Sequence, residues 1–438
     1  MENNARAAAL EALGKCRRDG AWSGAVIDNF IKKAAPDPRD SALAARLILG
    51  VLQNCSLCDF YIDSFSTAKK LEPKLRDILR LGIYQLLFMD KIPARAAVSE
   101  CVALCKSEGY QRASGLVNAV LRRVAEKKDA LPEIPNVGSA EHLSIKYSHP
   151  LWLAKKLVDE HGYGFAEGFL KANNAPPGLT VQVNTLKVTT SDYVKALDRI
   201  GIGYSANEDS DGCIELNNGN VTALPGYDEG LFYVQDKAAR TAIEISSIRP
   251  GLTVLDACAA PGGKSFAAAI RMHNEGKIVS CDIHEKKLKR IEEGAERLGI
   301  QIIDTCPNDA RRFNESFREA FDLVIADVPC SGLGVIRKKP EIRLKSEKEL
   351  AALPQIQFDI LSTLAGYVKR GGTLLYSTCT ILREENEEIV ERFLRENSDF
   401  GLCPFTAGKI GSDKGMYTFW PHIDGSDGFF AAKLIRKL

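Results

Sequence analysis

The sequence lacks the features that would mark a membrane or secreted protein. No run reaches the roughly 18 unbroken apolar residues of a membrane span. The first twenty residues carry Arg6, Glu11, Arg17 and Arg18 and no signal-peptide apolar core, so the chain is expected to be cytoplasmic. Histidine is scarce, at 6 of 438 residues, and none falls in HExxH or another recognised ligand spacing, so no metal is expected. No fixed-period repeat is visible, which excludes solenoids and propellers. Net charge is nearly absent, at +1. Cysteine is present but moderate, at 12, and in a cytoplasmic protein these read as thiols, ligands or catalysts before disulfides.

The remaining composition is that of an ordinary globular chain, 45% hydrophobic and 26% charged, long enough for two or three domains. The near-zero charge hides an asymmetry: residues 1–130 carry +6 and the rest −5. A modest basic excess suits phosphate contacts as well as a solvated helical surface.

Residues 1–128 read as helices. Leu75, Ile78, Leu79, Ile83, Leu86 and Leu87 recur at three- and four-residue steps, as do Val98, Val102 and Cys105, and then Leu116, Val120 and Val124. Pro36, Pro38 and Pro93 punctuate them. The period is lost over 129–139, DALPEIPNVGS, which reads as a linker. Residues 140–240 mix helices with short strands such as LTVQVNT, and Ser191 is a candidate N-cap; this is a small α+β domain. From 241 to 438 strands and helices alternate regularly, which means a mostly parallel, doubly wound sheet.

Such sheets bind ligands at the carboxyl ends of their strands. The first strand there ends in Asp256-Ala-Cys258-Ala259-Ala260-Pro261-Gly262-Gly263-Lys264. The turn is tight and lets a ligand approach its backbone, but it matches neither GxGxxG nor GxxxxGK(S/T). Asp282 ends the second strand, at the place where an acidic residue can accept hydrogen bonds from ribose hydroxyls, and Asp309 follows the third. Together they suggest a nucleoside cofactor without a large phosphate group. The plain alternative is that each Asp caps a helix. The fourth strand ends Asp327-Val-Pro-Cys330 and the fifth Ser-Thr-Cys379, so two thiols are expected to face one cleft. Spacing alone does not say which of them is the nucleophile. Cys55-x-x-Cys58 and Cys101-x-x-x-Cys105 lie in helical sequence and read as core rather than as a zinc site. Arg337, Lys338, Lys339, Arg343 and Lys345 follow the Pro-Cys segment; their place beside the expected cleft favours contact with RNA phosphate over a merely solvated charge cluster.

DACAAPGGKS, ADVPCSGLGVIRKKPE, YSTCTILREENE and SDGFFAAKL resemble, in order and spacing, the motifs of S-adenosylmethionine-dependent RNA cytosine-5 methyltransferases. Residues 1–125, notably ILRLGIYQLLFMDKIPARAAVSECVALCK and LVNAVLRRV, resemble the NusB helical RNA-binding domain. YSHPLWLAKKL, NNAPPGLTVQVNT and YVQDKAA resemble the RRM-like pre-catalytic domain of the same enzymes. The combination is similar to the small-subunit ribosomal RNA methyltransferase B group. Departures are small: Ser265 stands where Thr is common, Val328 where Ala is, and Asn308 where Gly often sits. The resemblance implies methylation of cytosine C5 in small-subunit ribosomal RNA, with Cys379 as nucleophile, Cys330 in product release and Asp327 near the base or cofactor. It also implies that residues 258–264 contact S-adenosylmethionine, that Asp282 holds its ribose, and that Asp309 sits near its adenine. A monomer is expected. A transfer RNA cytosine-5 methyltransferase, or an RNA-binding protein with a vestigial catalytic domain, are the alternatives.

Overall fold

The computed structural model describes residues 5–28, 37–68, 70–206, 212–217 and 220–438; Pro36 lies outside them. Contacts divide the chain into two units, Met1–Ala175 with Ile336–Glu349, and Pro176–Val335 with Leu350–Leu438.

The first unit is helical: α1 Ala5–Asp19, α2 Ser23–Val26, α3 Pro38–Gln53, α4 Cys55–Phe65, α5 Pro73–Phe88, α6 Ala94–Ser107, α7 Ser114–Glu126, α8 Ala140–Lys146, α9 Leu151–His161 and α10 Tyr163–Ala172. Helix α3 starts where its chemistry dictates. The Asp37 carboxylate accepts from the Arg39 and Asp40 amides, and Pro38 occupies the first turn, where its missing N–H costs nothing. The periodicity of α5 understates its burial, because Leu81, Gly82, Tyr84 and Gln85 are buried along with the expected apolar face. It is a central helix, and a Cβ at Gly82 would meet the Leu121 side chain of α7 at 2.6 Å. Cys58, Cys101 and Cys105 pack in this core. Part of the basic excess is spent internally: Arg17 and Arg80 pair with the buried Asp77 at 2.8 and 2.7 Å, and Arg80 also with Asp59 at 2.6 Å. Residues 129–139 form no helix or strand.

The chain divides at residue 175, inside the stretch 140–240 read from sequence as one domain. The first unit also takes in Ile336–Glu349, a segment from the catalytic half of the sequence. Arg343 is buried, at 7% exposure. It donates to the carbonyls of Gln53 and Asn173 and, at 2.7 Å, to Asn174 Oδ1. Burial pulls its proton affinity down to about 9, so it remains charged at neutral pH. The expectation that Arg343 contacts RNA phosphate is therefore corrected: the side chain is buried and its two terminal nitrogens donate to chain carbonyls and an amide.

The second unit opens with β1 Leu179–Val183, α11 Thr190–Arg199, β2 Tyr204–Ala206, β3 Cys213–Leu216 and β4 Phe232–Val234. These strands form an antiparallel sheet in the order β2-β3-β1-β4. Tyr193 and Leu197 of α11 pack on Val181, Ile214 and Phe232. The cap of α11 is Thr189, which accepts from the Asp192 amide, and not Ser191, which lies inside the first turn.

There follow α12 Lys237–Ile245, β5 Thr253–Asp256, α13 Gly263–Arg271, β6 Lys277–Asp282, α14 Glu285–Leu298, β7 Ile303–Pro307, β8 Phe321–Asp327, α15 Leu353–Ala365, β9 Val368–Thr378, α16 Glu387–Glu396, β10 Phe400–Leu402, β11 Phe405–Ala407, β12 Ile410–Ser412, β13 Met416–Phe419 and β14 Phe429–Arg436. The large sheet runs β10-β14-β9-β8-β5-β6-β7, with β13 on β14. Strands β9, β8, β5, β6 and β7 are parallel, and β14 is antiparallel to β9. The period-two alternation of a strand sends Val254, Leu323 and Ile325 to one face and Leu255, Val324 and Ala326 to the other. Helices cover both faces, which is why these strands read as continuous apolar runs. The buried side of α14 is Leu288, Ile291, Ala295 and Leu298, the stripe legible in the sequence. Among the described residues no single helix is long and apolar enough to cross a membrane.

Candidate active site

The parallel strands all end on one edge, and a cleft of about 370 Å³ opens there. Cys258 and Ala260 of the Gly-rich turn line it, with Asp282, Asn308, Asp309 and Asp327 from three further strand ends. The turn needs glycine for a stated reason. Gly262 has φ +109°, and a Cβ on it would lie 2.6 Å from the Phe266 ring. Gly263 then opens α13. Ala259 is buried and packs into the core instead of lining the cleft.

Asp282 Oδ1 accepts from the His284 amide at 2.8 Å and lies 3.6 Å from Lys287 Nζ. Its contacts with described residues are both to Oδ1, which leaves Oδ2 for a ligand hydroxyl. Asp309 is more committed: Arg311 takes both of its oxygens, at 3.0 and 2.9 Å, and holds its carboxyl below the usual range. Ile283, Ile356 and Ile360 give the cleft an apolar wall that sequence reasoning missed. Acidic groups at two strand ends plus that wall fit an adenosyl group, with hydroxyls to one side and a flat ring to the other.

Strands β8 and β9 are neighbours, with Asp327 opposite Ser377, so the residues just past them meet. Cys330 Sγ and Cys379 Sγ are 3.1 Å apart, within sulfur hydrogen-bond range. That hydrogen bond, and then burial, push the Cys330 thiol well above its ordinary pKa. A buried brace fixes both loops. Glu385, 1% exposed, accepts from the Ser331 amide at 2.9 Å, from Gln357 at 2.8 Å and from Thr380 Oγ1 at 3.3 Å. Ser331 and Thr380 share a further hydroxyl hydrogen bond of 2.7 Å. Each is the residue after a cysteine, so the brace sets the separation of the two thiols. Sequence reading missed Glu385, although it stands in the segment LREENE; its signal is a carboxylate with no exposed role, six residues after Cys379.

Lys264 Nζ pairs with Asp327 Oδ2 at 2.7 Å and sits 4.9 Å from the Phe429 ring centroid. Ser377 Oγ donates to Asp327 Oδ1 at 2.9 Å. Lys264 is thus turned to Asp327 and is not a wall of the cleft.

Behind the turn, Asp256 is fully buried and accepts from Ser265 at 2.7 Å, while its Oδ1 has no partner. Burial pushes its carboxyl from 3.8 up to about 7; Ser265 opposes the shift, and the Asp327 charge adds to it. The folded chain therefore holds this proton more tightly than the unfolded chain does. The resulting stability is complete below the unfolded pKa and is lost as pH rises through about 7. Asp256→Asn removes the titration. The stability of the native protein relative to this variant should fall from about pH 5 to about pH 8, by up to about 3 kcal/mol. Thermal unfolding at the two pH values checks this, and a gap that does not change with pH contradicts it.

A parallel sheet with a Gly-rich turn after its first strand, acidic groups at the next strand ends and a cleft between them with an apolar wall defines a methyltransferase of the S-adenosylmethionine-dependent class. Residues 245–435 match the model of the 16S rRNA methyltransferase RsmB/F family, residues 3–126 the NusB family, and residues 149–222 the RsmF/B-like ferredoxin-like domain. The chain is 34% identical over 447 residues to the probable ribosomal RNA small subunit methyltransferase B of Bacillus subtilis (strain 168), spanning 100% of this chain and 99% of that protein. Identity to the ribosomal RNA small subunit methyltransferase B of Escherichia coli O6:H1 is 30%, again over 100% and 99%. The crystal structure of PH0851 superposes with a TM-score of 0.81 at 28% identity, over 99% of each chain. The chain belongs to the ribosomal RNA small subunit methyltransferase B family, and its methyl donor is S-adenosylmethionine.

Proposed function

We propose that this protein methylates C5 of a cytosine in 16S ribosomal RNA through a covalent enzyme–base adduct, acting in the cytoplasm as a monomer without metal. The observation that carries the reading is the pair of thiols 3.1 Å apart at adjacent strand ends beside the cleft. Cytosine C5 is a weak nucleophile. Adding a thiolate to C6 makes it enamine-like, which divides one hard step into two easier ones. The resemblance to RNA cytosine-5 methyltransferases makes Cys379 the thiol that ionises and attacks C6, with Cys330 beside it at 3.1 Å. S-adenosylmethionine supplies the electrophilic methyl group. After transfer the C5 proton must leave and the C6–sulfur bond must break; Cys330 assists this release.

Asp327, positioned by Lys264 and Ser377, faces the reacting base or the cofactor. Cys258 and Ala260 of the Gly-rich turn hold the cofactor from the cleft wall, with Asp282 toward its ribose and Asp309 toward its adenine. A stacked cytosine cannot be reached at C6, so the target must be unpaired or flipped out.

Bisulfite sequencing of total RNA from cells with and without the gene tests the proposal. One small-subunit ribosomal RNA cytosine should lose its protection when the gene is removed. Loss in a transfer RNA instead would move the substrate, and loss nowhere would remove the activity.

A further inference from the structure

Among the described residues the first unit carries an exposed aromatic set among cations. Trp22, at the start of α2, is 46% exposed. Two ammonium groups, Lys339 Nζ and Lys345 Nζ, lie 5.0 and 5.2 Å from its ring centroid. A pocket of about 220 Å³ adjoins it, with Arg17 and Arg18 in its wall.

Two acidic residues share this pocket, and both are engaged locally. Glu341 is buried and accepts from the Ser23 amide at 3.0 Å and from Ser23 Oγ at 2.6 Å. Glu349 accepts from the Ser346 amide and hydroxyl at 2.6 and 2.8 Å. The Glu341–Ser23 clamp also fixes the residue next to Trp22. The indole is thus held on a pinned backbone, and little ordering entropy remains to be lost when a ligand covers it.

An exposed flat ring flanked by lysines suits one chemical partner above others. An unpaired nucleotide can stack its base on the indole and offer its phosphate to the ammonium groups. We propose that Trp22, Lys339 and Lys345, with Arg18 beside them, bind an unpaired nucleotide of the RNA substrate. This rests on the reading that the substrate is RNA. The two lysines belong to the segment Ile336–Glu349, which begins six residues after Cys330 in the chain. Arg343 anchors that segment from within, through Gln53, Asn173 and Asn174, while Lys339 is exposed and Lys345 half-buried.

The full-length protein is titrated with a transcript of small-subunit ribosomal RNA and with single-stranded oligouridylate, and tryptophan fluorescence and filter binding are recorded. Stacking should quench the Trp22 emission, and the quench should vanish in Trp22→Phe, which leaves Trp152 and Trp420 in place. Trp22→Ala should weaken transcript binding about tenfold, as loss of one stacked base does. Lys339→Ala combined with Lys345→Ala should weaken it and lower the slope of log affinity against log salt by about one to two. Wild-type affinity and salt slope in both the Trp22→Ala and the double-lysine variants would overturn the proposal. Methyl incorporation into the transcript is scored separately. Methylation by wild type with no effect of these variants on binding sinks this site and leaves the function standing. A Trp22-dependent quench with no methylation does the reverse. Should Trp22→Ala fail to fold, the wild-type quench and the double-lysine salt slope decide the matter.

Discussion

Cys379→Ala should lose methyl transfer entirely, by about 10⁴-fold or more, and should form no covalent complex with RNA, because no group remains to add to C6. Cys330→Ala should behave differently in kind. Its Cys379 still attacks and the methyl group still moves, but the elimination lacks its helper, so the protein stalls with RNA attached. The two thiols are 3.1 Å apart, so each variant leaves the other sulfur in place at the same site. Denaturing gel electrophoresis with labelled transcript and cofactor separates the cases. A slow-migrating adduct should appear with Cys330→Ala and be absent with Cys379→Ala and with the double variant. The opposite pattern would make Cys330 the nucleophile. Full turnover in both single variants would place neither thiol in the mechanism.

The second large effect is expected from Gly334→Ala, a substitution that adds one methyl group. Gly334 donates its amide to the Cys379 carbonyl at 3.0 Å, and its own carbonyl accepts from the Gly428 amide at 2.9 Å. The backbone of the Cys330 loop is thereby tied to the Cys379 loop and to the turn before β14. A Cβ on Gly334 would run into the Gly428 carbonyl, and backbone, unlike a flexible side chain, cannot swing aside. Overpacking of this kind costs about 1–3 kcal/mol where side chains can adjust, so about 3 kcal/mol or more is expected here. The rearrangement must also part the two loops, so adduct formation should fall with stability. Gly401→Ala, where nothing lies within 4 Å of the added carbon, should change stability by only about a few tenths of a kcal/mol. Urea unfolding of the two variants checks the contrast; equal midpoints would show that the Gly334–Gly428 contact yields freely.

Much of the catalytic half was legible in the chain because its signals are local. Strand β6 is a short apolar run, α14 shows its buried stripe at helical spacing, and glycines mark the turn after β5. The rule that ligands sit at the carboxyl edge of a parallel sheet then pointed to Asp282, Asp327, Cys330 and Cys379. Errors arose where a local signal had two readings. Thr189 and Ser191 are both able to cap a helix, and only the turn at which α11 begins separates them.

The sequence by itself determined the order of elements, the mostly parallel sheet and the placing of two cysteines at strand ends, because periodicity and turn chemistry act over a few residues. Only the tertiary structure decided that the thiols meet. That depends on β8 and β9 being neighbours and on Glu385 joining the residues that follow them. It alone decided that Arg343, one of five clustered basic residues, is buried, because its acceptors lie 290 and 170 residues away in the chain. A cation's surroundings are set by whichever chain carbonyls the fold brings to it, and no local pattern encodes them.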